Sequence, residues 1–297
     1  MTLHRFTFRA MAAENEVQVH SDDARFAESA AARAIAEVKR IEAKYSRYLA
    51  DSVVSRINAN AGGATVEIDL ETHTLLDFAQ AAHQESGGLF DATSGVLRRA
   101  WRFDRDRVPG DEELAPLVAL IGWQHVERTR RGVRLARAGM ELDFGGFGKE
   151  YAVDRAAAVL ASQEVHSALV NLAGDLLALG PQPDGQPWQV GIQHPRKPRA
   201  LIARLPLTTG AIATSGDYER FVEVDGVRHS HVLDPRTGRS VRGYRSVTVH
   251  AGSCLVAGSA ATIAMLMGEQ AGGEWLAASG FKHLCVNHAG QVIDGFA

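Results

Sequence analysis

Helical periodicity is concentrated in the first ninety or so residues, and short strand-like runs dominate the second half of the chain. No regular strand–helix–strand rhythm connects the two. That segregation constrains the fold more than any other feature, because a doubly wound parallel sheet needs a crossover helix between successive strands. It predicts an α+β architecture, with helices early and mostly antiparallel strands late, in a single large domain over residues 1–297. The first long helix is expected over residues 22–45. Ser21 or Asp22 can cap it, and Ala30, Ala34, Val38 and Ile41 recur at helical spacing. A second is expected over 69–86, closed by Gly87-Gly88. Shorter helices are expected over 52–58, 114–120, 149–162 and 255–267. One or two strands fall within 2–19. Further strands are expected at 125–128, 133–135, 168–172, 188–192, 201–207, 211–214, 220–224 and 246–250, with a last pair after the final helix. Asp225-Gly226 marks a hairpin turn.

Composition narrows the function classes. Lys and Arg number 32 against 35 Asp and Glu, a net charge of −3. This argues against a broad nucleic-acid surface, which needs a strongly basic face; a local basic pocket remains compatible with it. Cys254 and Cys285 are the only cysteines and lack CxxC spacing. A disulfide framework and a thiolate zinc site are therefore not expected, and both read as small core residues. No run reaches the roughly 18 apolar residues of a membrane span. The N-terminal MTLHRFTFRAMAAENEVQVH has no basic region followed by an apolar one and no lipobox-like cysteine, so a cytoplasmic location is expected.

Four stretches place small, polar and charged residues where a plain core would be apolar. GGLFDATSGVL (87–97) ends a helix at glycines and continues at once into aromatic, acidic and hydroxyl residues. It reads either as a close backbone approach to a ligand or as a helix end with Asp91 capping the next turn. ELDFGGFGKEYAVD (141–154) runs from a strand through Gly145, Gly146 and Gly148 into a helix near Lys149. Such a turn can aim backbone N–H groups and a helix dipole at phosphates, with Lys149 adding a cation. It matches neither the Walker nor the dinucleotide pattern, and a plain strand-to-helix turn explains it equally well. NLAGDLLALG (171–180) reads as a polar turn between strands. The stretch 213–241 gathers Asp217, His229, His231, Asp234 and Arg236 around two glycine turns. A histidine there can act as a proton acceptor near neutral pH.

Taken together and in this order, with KYSRYLADSVVSRINA (44–59) before them and the small-residue run of 257–268 after them, these stretches resemble the ApbE family of FAD:protein FMN transferases. The resemblance covers about residues 8–268. It implies phosphoryl transfer: FAD is split at its pyrophosphate, AMP leaves, and FMN is joined through its phosphate to a threonine of a target protein. Such chemistry needs a positioned pyrophosphate, charge neutralisation, usually by Mg²⁺, and a base for the acceptor hydroxyl. By resemblance, Met11, Tyr48, Leu89, Phe90, Asp91, Asp143, Lys149 and Leu233 fall at flavin- or nucleotide-binding positions. His231 falls at the base, and Thr262 and the backbone of Gly146 at metal-ligand positions.

The chain departs from the family pattern at four places. The last helix usually carries an Asp four residues before its threonine, often with a second acid beside the threonine; here these positions are Gly258 and Ala261. Mg²⁺ prefers carboxylate and phosphate oxygens, so Thr262 and one carbonyl would lean on FAD phosphates and water. A usual Met-Gly-Thr is Met11-Ala12-Ala13. A usual glycine after the lysine is Glu150, whose carboxylate either repels a pyrophosphate or supplies a relocated metal ligand. Three readings follow: an active transferase with a protein target, a flavin- or nucleotide-binding relative that has lost Mg²⁺-dependent transfer, or a related phosphotransferase or hydrolase with a different nucleotide donor.

Overall fold

The computed structural model describes residues 1–296. In chain order the elements are β1 (Thr2–Ala10), β2 (Ala13–Ser21), α1 (Ala24–Tyr45), α2 (Val53–Ala59), β3 (Val66–Glu67), α3 (Leu70–Glu85), α4 (Asp111–Val118), β4 (Val126–Thr129) and β5 (Gly132–Leu135). Then come α5 (Gly148–Ala161), β6 (Ala168–Leu172), β7 (Asp175–Ala178), β8 (Trp188–Gln193), β9 (Leu201–Leu207), β10 (Gly210–Gly216), β11 (Phe221–Val224) and β12 (Val227–Ser230). The chain finishes with β13 (Ser246–Ala251), α6 (Cys254–Met267), α7 (Glu269–Ser279), β14 (Lys282–Val286) and β15 (Val292–Asp294).

The main sheet has eight strands in the order β1-β2-β6-β7-β10-β13-β14-β15. Its pairings are antiparallel throughout, as the expected α+β class requires. Alternation along the strands sends side chains to two cores. Val170, Leu177, Ala211, Ala213, Val247 and Val249 join the helices α1, α5 and α6 on one face. Leu169, Leu176, Ile212 and Leu284 meet Trp188, Val190 and Leu205 of the β8–β9 hairpin on the other. A third cluster, with Leu97, Trp101, Leu114 and Val222, anchors the β11–β12 hairpin. No helix among the described residues is long and apolar enough to cross a membrane.

Small residues set the helix spacing on the first face. α1 buries Ala27, Ala30, Ala31 and Ala34, α5 buries Ala152, Ala156 and Ala157, and α6 buries Ala257, Gly258, Ala260, Ala261 and Ala264. Side-chain size at the contact governs interaxial distance, so these faces bring helix backbones close together.

Several expectations need correction. The cap of α1 is Asp23, whose carboxylate accepts from the N–H groups of Arg25 and Phe26 at 2.8 and 3.2 Å. Ser21 instead accepts from the Asp23 N–H. α4 begins at Asp111, because acids fill its first turn and favour the positive end of the helix dipole. α7 was not anticipated: its Gly272-Gly273 pair reads as a breaker. A Cβ on Gly272 would lie 2.3 Å from the Ala264 carbonyl oxygen, so that glycine serves close packing on α6. β7 was likewise hidden inside a stretch read as a turn.

Candidate active site

The site forms around the N-terminus of α5. Phe144 and Phe147 are buried, and their rings lie 4.9 Å apart. Phe90 packs against Phe147, and a Cβ on Gly146 would lie 3.4 Å from the Phe90 ring. These rings pin the turn from beneath, while Gly145 and Gly146 stay exposed. Unsatisfied N–H groups and the dipole at such a helix start favour an anion. Asp143 accepts from the Gly145 N–H at 2.9 Å and pairs with Arg47. The Arg47 guanidinium also lies over the Tyr48 ring, 5.1 Å from its centroid, and donates to the Tyr48 hydroxyl at 3.0 Å. Tyr48 is 74% exposed, an open aromatic face at the rim.

Lys149 pairs with Asp175 at 2.7 Å. Burial alone would lower its pKa. The attraction of Asp175, then of Glu150, outweighs that and holds it above the ordinary lysine value. Asp175 is itself fixed by the Thr214 N–H at 3.2 Å. His231 follows β12 directly. Its N–H donates to the Arg220 carbonyl at 2.9 Å, and its Nδ1 lies 3.3 Å from the same oxygen. The ring touches solvent but is hemmed in by protein. That desolvation, with the charges of Arg220 and Lys149, holds its pKa below the usual value. The imidazole is therefore neutral at pH 7 and free to take a proton. Asp217 opposes this shift and is held by a two-pronged pair with Arg196, both bonds 2.6 Å.

The other expected residues divide. Asp91 commits its carboxylate to the Thr93 N–H and hydroxyl at 2.7 and 2.6 Å and to the Trp123 N–H at 3.1 Å. Leu89 and Phe90 are buried beside it. Met11 forms the β1–β2 turn, where its N–H donates to Glu42 at 2.5 Å. Leu233 packs in the third cluster and bridges to Ser240. Among the described residues, no hydrogen bond ties Met11 or Leu233 to the start of α5. Arg47 and Asp175 are the partners that the sequence reading missed. Arg47 lay inside the quoted 44–59 stretch, and Asp175 inside the supposed turn.

Two contacts set the register of α5 against α6. Asp154 accepts from the N–H groups of Cys254 and Leu255 at 2.6 and 2.9 Å. One turn earlier on α5, Glu150 abuts Gly258, one turn later on α6. The helices therefore run antiparallel; Thr262 lies one turn further along α6, and Gly146 precedes the start of α5. Thr262 shares a 2.7 Å hydroxyl–hydroxyl bond with Ser215. Among the described residues no group of three His, Cys, Asp or Glu side chains could hold a metal ion. The oxygens at this end nonetheless suit Mg²⁺, which takes one or two carboxylates and completes its shell with substrate phosphates and water. Glu150 faces Gly258 across the helix contact, with its Oε2 buried and without a hydrogen-bond partner.

An α+β scaffold with a glycine-lined helix start, a buried Lys149–Asp175 pair and a nearby histidine is compatible with a phosphoryl-transfer class of protein. Residues 11–285 match the ApbE family model. An FAD:protein FMN transferase of Vibrio cholerae is 34% identical over 244 residues, covering 79% of this chain and 72% of that one. One from Klebsiella pneumoniae is 35% identical over 216 residues, covering 71% and 66%. Among solved structures, the ApbE protein of Thermotoga maritima superposes with a TM-score of 0.91 at 31% identity, covering 99% and 97% of the two chains. The apo flavinyl transferase ApbE of Pseudomonas stutzeri gives 0.87 at 30%, covering 98% and 93%. The chain belongs to the ApbE family.

Proposed function

We propose that this protein is an FAD:protein FMN transferase, with FAD as donor and a threonine of a target flavoprotein as acceptor. The observation that carries this reading is the glycine-lined start of α5, where Asp175 holds the Lys149 ammonium at 2.7 Å and the lysine's charge reaches His231. In the proposed step the acceptor hydroxyl oxygen attacks the phosphorus on the FMN side. His231 takes the hydroxyl proton. The bond from that phosphorus to the bridging oxygen breaks, and AMP departs with the bridging oxygen. The Lys149 ammonium and the Gly146 N–H oppose the charge building on the phosphates, where fixed donors act most strongly. Tyr48, with Arg47 behind it, supplies a stacking face for a flat ring. Mg²⁺, held by the Gly146 carbonyl and the Thr262 hydroxyl, would add charge neutralisation at the phosphates. Strands from both chain ends share the main sheet, which supports reading the whole chain as one working unit.

The test mixes the protein with FAD, Mg²⁺ and an acceptor protein bearing a threonine in a small-residue motif. AMP release with covalent flavin on the acceptor is the expected result. FAD binding without AMP release in the presence of acceptor would overturn the transferase reading and leave a flavin-binding relative.

A further inference from the structure

Glu150 has no part in the scheme above, yet two local costs meet at it. It is 8% exposed, and its Oε2 has no hydrogen-bond partner. Leaving such an oxygen unsatisfied costs the full desolvation of the group, and more if it is charged. Across the helix contact stands Gly258 in the interior of α6, where glycine is less favourable than alanine. The two are linked by space. A Cβ on Gly258 would lie 2.5 Å from Glu150 Cγ and 2.9 Å from its Oε1. Only glycine at 258 leaves room for this side chain. A core built for packing alone would place small apolar residues at both positions, as at Ala257 and Ala261 on the same helix.

The surroundings are short of positive charge. Asp175, Asp154 and Lys149 are the charged groups that act on Glu150. Lys149 is already engaged by Asp175, and Asp154 is turned to the α6 N–H groups. A single ammonium thus faces three carboxylates. Thr262 follows Gly258 by one turn of α6, and its hydroxyl bonds to Ser215 at 2.7 Å; Gly146 precedes Glu150 by four residues, exposed ahead of α5.

We propose that Glu150 is this chain's carboxylate ligand for a divalent cation, delivered from α5 across the gap left by Gly258 to the end of the α5–α6 contact that carries Gly146 and Thr262. The buried oxygen then gains a partner, the charge deficit is met, and the glycine has a reason. The substrate side of this inference rests on the transferase reading; the metal site is tested without it.

The full chain is titrated with Mn²⁺ alone, and free Mn²⁺ is followed by electron paramagnetic resonance. The parent is expected to bind Mn²⁺, and Glu150→Gln, close in shape, to bind at least tenfold more weakly with its melting temperature retained. The exchange Glu150→Gly with Gly258→Asp returns a carboxylate from the opposite helix and is expected to recover most of the affinity. Should Glu150→Gln fail to fold, Gly258→Ala displaces the carboxylate from the other side and is expected to weaken binding likewise. Equal Mn²⁺ affinity in parent and Glu150→Gln, or no Mn²⁺ binding by the parent, overturns the proposal. AMP release from FAD is measured separately. Transfer with Glu150-independent Mn²⁺ binding sinks the metal assignment only, and Glu150-dependent binding without transfer sinks the transferase reading only.

Discussion

Two glutamates on opposite sides of α5 meet opposite fates. Glu71, on α3, faces the outer side. Its Oε1 accepts from Arg40 at 2.6 Å and from the Tyr151 hydroxyl at 2.8 Å, and its Oε2 accepts from Arg40 at 2.9 Å and from Lys44. Burial alone would raise its pKa. The hydrogen bonds from Arg40, Lys44 and Tyr151 outweigh that and hold it far below the ordinary glutamate value. Glu150 precedes Tyr151 in sequence but faces inward, where burial and then Asp175 push its pKa up. Full satisfaction of every oxygen marks a carboxylate that serves the fold. Glu150 instead keeps a buried oxygen without a partner, beside Lys149.

That contrast can be broken in order of size. His231→Ala, on the functional side, is expected to lower transfer by about 10²–10⁴-fold with little change in melting temperature or FAD affinity. Retained transfer would remove His231 as the base. The pH–rate profile of the parent is expected to fall on the acid side only below the usual histidine pKa, because the neutral ring persists to lower pH. An acid limb centred above 6.5 would contradict this.

Glu71→Gln is expected to cost about 1–2 kcal/mol in urea unfolding, since charge-assisted bonds are lost from a partly exposed network. Folded-state activity should be unchanged. Its pH signature follows from the depressed pKa. The folded protein binds fewer protons at Glu71 than the unfolded chain, so the contribution is full above about pH 4.5, the ordinary value, and fades as pH falls toward the lower folded value. A parent–variant stability gap that does not shrink below pH 4 would refute that. Glu150→Gln should instead leave stability at pH 7 within about 0.5 kcal/mol, since burial and Asp175 push the Glu150 pKa up to about 8 and Gln replaces a neutral carboxyl of similar shape. A loss like that of Glu71→Gln would make the two glutamates equivalent.

The smallest effect concerns Ala12, in the β1–β2 turn at φ 61° beside Met11 at φ 52°. Both lie in the left-handed region that a two-residue hairpin of this kind demands and glycine prefers. Ala12→Gly is expected to stabilise by about 0.5 kcal/mol in thermal melts.

Much of the architecture was legible because it rests on short-range rules. Alanine spacing marked α1, Gly87-Gly88 closed α3, and Asp225-Gly226 turned β11 into β12. α7 and the cap of α1 were not, because a glycine packed on a neighbouring helix looks like a breaker and adjacent polar residues compete equally for a cap. At the site, the motif order was enough to nominate Lys149, Asp143 and His231. It could not pair Lys149 with Asp175 or Arg47 with Asp143, since those contacts join elements far apart along the chain.

The residue types alone determined the α+β class and the glycine-lined start of α5, because each depends on side-chain volume, charge or backbone freedom within a few positions; the missing acid at 258 came from the family resemblance. Whether Glu150 opposes a phosphate at the surface or faces the core was a matter of helix register. The antiparallel contact of α5 with α6 placed it against Gly258, buried and with a free oxygen. Only packing between distant segments sets which way a side chain on a helix points.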